Sequence, residues 1–230
     1  MQKSQNRIHP VLIQLVSKFL DISETELFTR LQNRQQLLND DWNNKKSIED
    51  FYKSTKNYLY DLVAFNNIER VKQTIYPIKD FKGIKILDYA GGVGEIGMAL
   101  SEGNKVYYYD VNDFNKSFAK FSSQKTGRPL IILDTLEQVK NLKYEIIILM
   151  DILEHLDEPM ELLKSMENLL VDHGFIVTSG LNYGLCDSHP MHLASAISHR
   201  DEFNKYMQDN YVLRFYHETK YSPVYVWSKK

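Results

Sequence analysis

The sequence is poor in cysteine and has no long apolar run. Its single cysteine, Cys186, excludes an internal disulfide framework and agrees with a reducing compartment such as the cytoplasm. The longest apolar run, residues 146–150, is far shorter than the roughly 20 residues that a membrane-spanning helix needs. The apolar stretch near the N-terminus is interrupted by Gln14, Ser17 and Lys18. We therefore expect neither a membrane span nor a signal peptide.

The sequence also lacks an excess of charge of either sign. Its 28 Lys and Arg against 30 Asp and Glu give a net charge of -2, which provides no overall attraction to nucleic acid or to an anionic membrane. The apolar share of 43% and the charged share of 25% are typical of a folded globular protein. We expect no nucleic-acid partner and no membrane partner. The length of 230 residues allows one α/β domain with an extension.

Residues 1–78 show helical spacing and no strand pattern. Ser23 to Glu26 has the form of a capping box that opens a helix, and Ser47 begins a second helical segment that leads through residues 51–75. Pro77 ends this region. We predict an N-terminal helical cap over residues 1–78, which either closes over a ligand as a lid or covers a sheet edge or dimer interface.

From residue 84 onward, short apolar runs alternate with amphipathic segments, as in β-α units on a parallel sheet. The helix that begins at Pro159 is predicted to end at a cap supplied by Gly174. Two further strands near the C-terminus flank a turn and should form an antiparallel hairpin. The predicted fold is α/β, with five parallel strands and an antiparallel hairpin, over residues 79–230. The predicted strands are 84–90, 105–110, 129–134, 145–151, 175–180, 211–217 and 223–229.

The loop after the first strand suggests a nucleotide site. Residues 92–97 match the pattern G-x-G-x-x-G, in which backbone N–H groups at a helix N-terminus contact a dinucleotide pyrophosphate. The pattern is weak by itself because it needs only three glycines. Asp110, at the end of the second strand, suits a dinucleotide equally well, because a carboxylate there accepts hydrogen bonds from ribose hydroxyls.

Other acidic residues favour a different cofactor. Asp88 lies four residues before Gly92, where a dinucleotide site needs no carboxylate, and Asp134 ends the third strand, where an adenine amino group could be recognised. Residues 151–156, Asp-Ile-Leu-Glu-His-Leu, follow the fourth strand at the edge where open α/β sheets bind substrates. An NAD enzyme would also need a substrate domain, for which about 50 residues after position 180 leave little room.

With these four motifs in order, residues 84–230 resemble the class I S-adenosylmethionine-dependent methyltransferases, whose Rossmann-like sheet has seven strands. Ala90 departs from the family pattern, which has the first glycine of the loop there, and Gly91 is an additional glycine. The resemblance implies that Asp110 holds the ribose hydroxyls, Asp134 the adenine amino group, and the loop the methionine portion. The expected cofactor-binding residues are Tyr58, Asp88, Ala90, Gly91, Gly92, Gly94, Asp110, Val111, Asp134, Thr135 and Asp151.

Candidate catalytic residues lie in the irregular segment 180–195, where a substrate loop should be. Tyr183, His189 and His192 are the candidates, and one of the histidines would act as general base or bind substrate. His189, His192 and His199 could instead bind a metal, but no cysteine or acidic residue completes a recognisable ligand set. We therefore predict no metal. His155, in the segment 151–156, is usually structural in the family.

The predicted function is methyl transfer from S-adenosylmethionine to a small-molecule acceptor, with S-adenosylhomocysteine as product. Two alternatives stay open at this point. The first is an NAD(P)-dependent oxidoreductase that uses residues 91–97 as a dinucleotide loop. The second is a non-catalytic methyltransferase-like binding protein. The N-terminal helices could also form a homodimer.

Overall fold

The computed structural model describes residues 8–65, 68–181, 190–218 and 222–230. Its N-terminal part is helical, as predicted. Ser23 Oγ accepts a hydrogen bond from the backbone N–H of Glu26 at 3.1 Å, and Ser47 Oγ accepts one from that of Asp50 at 3.0 Å, so both serines are N-caps. The helices are α1 (Pro10–Leu20), α2 (Glu24–Asn43), α3 (Ile48–Ser54), α4 (Tyr58–Phe65) and α5 (Ile68–Ile75), followed by a 3₁₀ turn at Tyr76–Ile78.

The prediction of one helical segment through residues 51–75 is wrong, because three helices occupy it. Thr55 ends α3 in an extended conformation with ψ 127°. The side-chain amide of Asn112 donates hydrogen bonds to the carbonyls of Tyr52 and Thr55, at 2.8 Å each. These carbonyls would otherwise be left unsatisfied at a helix end. A residue distant in sequence thus stabilises the break, so the local pattern could not reveal it.

The rest of the chain forms one seven-stranded sheet in the order β3-β2-β1-β4-β5-β7-β6. The first five strands are parallel, and β7 pairs antiparallel with both β5 and β6. This confirms the predicted fold class. The strands are β1 (Lys85–Tyr89), β2 (Lys105–Tyr109), β3 (Ile131–Ile132), β4 (Tyr144–Leu149), β5 (Leu170–Thr178), β6 (Tyr211–His217) and β7 (Val224–Lys229).

Helices connect the parallel strands. They are α6 (Glu95–Leu100), α7 (Asp113–Thr126), α8 (Leu136–Lys140), α9 (Pro159–Glu167), α10 (Ala194–Ser198) and α11 (Arg200–Asn210), with a 3₁₀ turn at Leu153–His155. No helix in the described ranges is long and apolar enough to cross a membrane.

Gly174 does not cap a helix, contrary to the prediction. Helix α9 ends at Glu167, and Gly174 lies inside β5, where the pairing with β4 shifts register between Tyr144 and Ile146. A Cβ at Gly174 would lie 3.0 Å from the carbonyl oxygen of Val171. The glycine therefore permits close backbone approach in a bulged strand.

Apolar clusters cover both faces of the sheet, and a third joins the N-terminal helices to α7. In this third cluster the ring of Phe19, from α1, lies 5.3 Å from the rings of Phe114 and Phe118 and 5.6 Å from that of Phe121. Leu12, Val16, Leu27 and Leu59 are buried around these rings. The N-terminal helices are therefore packed on the sheet domain through α7.

Candidate active site

A cavity of about 860 Å³ lies where the carboxyl ends of β1, β2 and β4 meet helices α3, α4 and α5. This is the edge at which open α/β sheets bind ligands, and the volume lies in the range of small-molecule sites. The helices contribute wall residues such as Tyr52, Leu62 and Arg70, while the sheet contributes its strand ends. The cavity is thus formed between the N-terminal helices and the sheet.

The loop after β1 brings its backbone against neighbouring groups. Ala90, Gly92 and Gly94 have φ values of 54°, 56° and 74°, a region that costs side chains other than glycine about 1 to 2 kcal/mol. A Cβ at Gly91 would lie 2.7 Å from both the Asp88 carboxylate and the Tyr108 ring. Ala90 therefore lies at a position whose backbone conformation favours glycine, the residue that the family pattern has there.

Asp88 lies in β1, just before this loop, and connects the strand to helix α6. Its carboxylate accepts a hydrogen bond from the backbone N–H of Gly97 at 3.0 Å, and the side chain is only 2% exposed. Burial raises the pKa of Asp88 to about 7, while the Gly97 N–H opposes the shift. Asp88 lies at the cavity wall, and its hydrogen bond to the Gly97 backbone holds the start of α6 in position beside the cavity.

Asp110 lies at the tip of β2 beside the same loop. One carboxylate oxygen accepts a hydrogen bond from the backbone N–H of Gly92 at 3.0 Å, and the other accepts one from that of Asn112 at 2.8 Å. Burial raises the pKa of Asp110 to about 6, and these N–H groups oppose the shift. The carboxylate is thus held in place at the cavity wall.

The end of β4 is paired with the N-terminal helices. Asp151 has a left-handed φ of 51°, and its backbone N–H donates to Ser179 Oγ at 2.8 Å. Its carboxylate forms an ion pair with the guanidinium of Arg70. This arginine lies in α5 and is 7% exposed. This pair connects α5 directly to the strand edge. Arg70 gave no signal in the sequence, because its partner lies far along the chain.

Glu154, His155 and His192 converge on one part of the cavity. Each offers a ligand atom, and the three atoms lie within 4.8 Å of one another. His155 Nδ1 lies 2.9 Å from both the Met191 carbonyl oxygen and the Tyr52 hydroxyl. The Glu154 side chain is buried, and neither of its oxygens has a hydrogen-bond partner in another residue that the structure describes. Burial raises the pKa of Glu154 to about 8, and the charge of Arg70 opposes the shift.

Most of the predicted site residues lie together at the cavity, although their roles stay predictions. The lining includes Tyr58, Asp88, Ala90, Gly91, Gly92, Asp110, Val111, Asp151 and His192. Gly94, Asp134 and Thr135 are not part of it: Gly94 is the N-cap of α6, Asp134 is exposed, and Thr135 forms a capping box at α8. Tyr183 and His189 lie outside the described residues.

The chain matches a family model described as a methyltransferase domain over residues 55–225. No curated protein sequence matches it. Among solved structures, magnesium protoporphyrin IX methyltransferase from Synechocystis PCC 6803, with bound SAM, is similar with a TM-score of 0.58 and 15% identity, over 83% of this chain and 90% of that one.

Two further structures share the fold. A SAM-dependent methyltransferase from Aquifex aeolicus has a TM-score of 0.57 and 16% identity, over 76% of this chain and 98% of that one. The ribosomal protein L11 methylase from Lactobacillus delbrueckii subsp. bulgaricus has a TM-score of 0.53 and 14% identity, over 70% of this chain and 77% of that one.

These three structures are similar in fold to the chain described above, with its seven-stranded sheet and C-terminal antiparallel hairpin. At such identities the likeness concerns the fold, while the family match over most of the chain gives the membership. The family assignment favours S-adenosylmethionine over a dinucleotide as the ligand of the loop after β1. The chain belongs to the methyltransferase domain family and is a class I S-adenosylmethionine-dependent methyltransferase.

Proposed function

We propose that this methyltransferase transfers a methyl group to a small-molecule acceptor bound in the 860 Å³ cavity. The observation that carries the proposal is the position of Asp110, whose carboxylate is fixed beside the Gly92 backbone at the cavity wall. There it would accept hydrogen bonds from the ribose hydroxyls of the cofactor. The same cavity extends to Glu154 and His192, which leaves room for an acceptor next to the cofactor.

The residues of the loop and of the neighbouring strands fit the cofactor. The backbone from Ala90 to Gly94 would hold its methionine portion, with Asp88 keeping the loop in place through Gly97. Asp134 and Thr135 would lie near its adenine, next to Leu136, which lines the cavity. When bound, S-adenosylmethionine supplies an electrophilic methyl group on a sulfonium. The protein contributes alignment of the acceptor and exclusion of water.

The N-terminal cap, residues 1–78, would act as a lid on the methyltransferase domain, residues 79–230. A Cβ built on Gly92 would lie 3.2 Å from two methyl carbons of Leu62, so α4 already touches the loop. Tyr58, on the same helix, is a partly buried wall residue, and desolvation of its hydroxyl raises the pKa of that group. In a lid, Leu62 and Tyr58 would cover the reacting region with apolar groups and keep water out.

A small acceptor is favoured by the walls of the cavity. Helices α3 to α5 cover the strand ends and line the cavity with aromatic side chains such as Tyr52, Tyr58 and Phe65, which leave little room for a macromolecule. The solved structures named above include one methyltransferase of a porphyrin and one of a ribosomal protein, so the fold alone does not choose the acceptor. Among the residues that the structure describes, His192 is the candidate for general base. His189 and Tyr183, which lie outside the described residues, are further candidates.

The role of Asp110 can be tested by titrating the protein with S-adenosylhomocysteine in a calorimeter. Asp110→Asn keeps the shape of the side chain but removes the charged acceptor, and hydrogen bonds to a charged group contribute about 1.5 to 3 kcal/mol. We expect the affinity to fall about 10- to 100-fold. Asp113→Asn is the matched control, because that carboxylate is exposed and pairs with Lys116. Equal affinities of both variants and the unmodified protein would show that Asp110 does not bind the cofactor.

A further inference from the structure

Glu154, His155 and His192, termed the His-Glu cluster below, have the composition of a metal site. Their ligand atoms lie within 4.8 Å of one another, and side-chain adjustments of about 1 Å would bring all three to the ordinary bond lengths of about 2.0 to 2.2 Å from one ion. Two imidazoles and one carboxylate form a ligand set that recurs in catalytic metal sites, where further coordination positions stay open. The cluster borders the cavity, so such positions would face the bound acceptor.

Glu154 supplies a second, independent observation. Its carboxyl group is 1% exposed, and no other described residue offers a hydrogen bond to either oxygen. A buried carboxylate without partners costs free energy unless a cation compensates it. Arg70 is the nearby cation, but it forms an ion pair with Asp151. Arg70 is thus already paired, and Glu154 in its deprotonated form would need a further cation, which a metal ion would supply.

His155 has the hydrogen bond expected of a metal ligand. Its Nδ1 lies 2.9 Å from the Met191 carbonyl oxygen, and because a carbonyl only accepts, Nδ1 carries the proton. The ring lone pair is then on Nε2. Metal-binding histidines usually donate their other N–H to a backbone carbonyl or carboxylate in this way, which fixes the tautomer and the ring orientation. The neighbouring Leu193 N–H also donates to the Glu154 carbonyl at 2.9 Å, so both segments are held together.

We propose that Glu154, His155 and His192 bind a divalent transition-metal ion at the wall of the cavity. Imidazole nitrogen favours ions such as Zn²⁺, Co²⁺ or Fe²⁺, whereas Mg²⁺ and Ca²⁺ prefer oxygen ligands. The sequence predicts no metal because no acidic residue lies beside His192 along the chain, whereas the fold brings Glu154 there. With an ion bound, the lone pair of His192 coordinates the metal, and this excludes the general-base role considered for His192 above.

An oxygen atom of the acceptor would complete the coordination of the ion. This statement rests on the proposed methyl transfer to an acceptor in the same cavity, whereas metal binding by the cluster does not. The experiment therefore measures metal and S-adenosylhomocysteine binding separately. If the protein binds S-adenosylhomocysteine but no metal, the metal-site proposal has failed. If it binds metal but no S-adenosylhomocysteine, the proposed function has failed.

The test is a titration of the chelator-treated full chain with Co²⁺, followed by its visible absorption, with Zn²⁺ as competitor. We expect one Co²⁺ per chain, displaced by Zn²⁺ and not by Mg²⁺. Loss of a residue that only hydrogen-bonds a metal ligand weakens metal binding about 10- to 100-fold. Substitution of a ligand itself should have a larger effect, so Glu154→Gln and His192→Asn should each weaken binding at least about 100-fold. His199→Asn is the control, since His199 contacts Glu202 at 2.9 Å outside the cluster and should change binding less than about twofold.

Thermal unfolding of each variant shows whether it is folded, and Zn²⁺ should raise the Tm of the unmodified protein and of His199→Asn only. If one ligand variant does not fold, the other one decides. The proposal is overturned if the folded protein binds neither Co²⁺ nor Zn²⁺, if it binds Mg²⁺ in preference to both, or if both ligand variants bind as tightly as the control.

Discussion

A single methyl group at Ala90 strains the loop that is expected to hold the cofactor. With φ at 54°, replacement by glycine relieves a cost of about 1 kcal/mol. We expect Ala90→Gly to raise the free energy of unfolding by about that amount, measured by urea denaturation. Ala99→Gly, within helix α6, is the control and should lower it by about 0.5 to 1 kcal/mol. A destabilised Ala90→Gly protein would show that the loop depends on the methyl contact.

The buried carboxyl of Asp88 makes stability depend on pH. Its pKa is about 7 in the folded protein, against 3.8 ordinarily. Between pH of about 4 and 7 the folded state therefore keeps a proton that the unfolded chain has lost, and stability falls as pH rises through this window. Asp110 and Glu95, whose burial raises their pKa values to about 6 and about 7, contribute in the same direction.

Asp88→Asn removes one of these titrations while keeping an oxygen acceptor for the Gly97 N–H. Relative to the unmodified protein, the variant should gain stability as pH rises from about 4 to 7, by about 1.4 kcal/mol for each unit of the pKa shift. Urea denaturation at several pH values measures the slope. Asp80→Asn, an exposed position, should leave the slope unchanged. If Asp88→Asn has the unmodified slope as well, Asp88 is ionised throughout this range.

The sequence was sufficient for two residues at strand ends, whereas Asp134, which follows β3, is exposed and does not line the cavity. Asp110 and Asp151 could be placed at one sheet edge because parallel strands all end there, and the structure has both at the cavity. The proximity of Glu154 and His155 to His192 could not be predicted, since it depends on how residues 190–193 pack against the 3₁₀ turn at Leu153–His155. Arg70 was missed because its partner, Asp151, lies far along the chain.

Among the structural elements, the junction of α3 and α4 depends on one side chain of the segment between β2 and α7. Asn112 donates to the carbonyls of Tyr52 and Thr55, and its Oδ1 accepts from the backbone N–H groups of Phe114 and Asn115, so it also caps α7. Loss of a cap costs about 0.5 to 2 kcal/mol, and each buried unsatisfied group about 1 to 3.

Asn112→Ala should therefore lower the free energy of unfolding by about 2 to 4 kcal/mol, measured by chemical denaturation. Asn141→Ala is the comparison, because this asparagine is exposed at the end of α8, and a change within about 0.5 kcal/mol is expected. A similarly small effect at Asn112 would mean that the N-terminal helices are held by apolar packing alone.

Elements with local signals were predicted well. Ser23 and Ser47 cap the helices they were expected to open, and the C-terminal hairpin is present. The interruption at Thr55 and the early start of β5 at Leu170 were missed. Both are stabilised by tertiary contacts, from Asn112 in one case and from the irregular pairing with β4 in the other.

At the scale of the whole molecule, cofactor binding should be visible as a shift in thermal unfolding. A ligand at 100 times its Kd stabilises the folded state by about 2.7 kcal/mol, which corresponds to about 5 to 10 °C for a chain of this length. We expect S-adenosylhomocysteine to raise the Tm by that amount and NADH to leave it unchanged, in differential scanning calorimetry. A shift with NADH alone would favour the dinucleotide interpretation of residues 92–97.

Association of two chains through the N-terminal helices stays a prediction. The face of α1 that carries Phe19 is already packed against α7, so a dimer would use the exposed part of the helix, where Val11 is 45% exposed. Sedimentation velocity of the full chain would measure its oligomeric state.

The packing of α1 on α7 also bears on how the protein is made. Phe19 and its partner Phe114 lie about 95 residues apart in the sequence, and ribosomes add about 5 to 20 residues per second. The growing chain therefore exposes the apolar face of α1 for about 5 to 20 seconds before α7 is synthesised. During that interval we expect chaperones at the ribosome to bind the exposed apolar face.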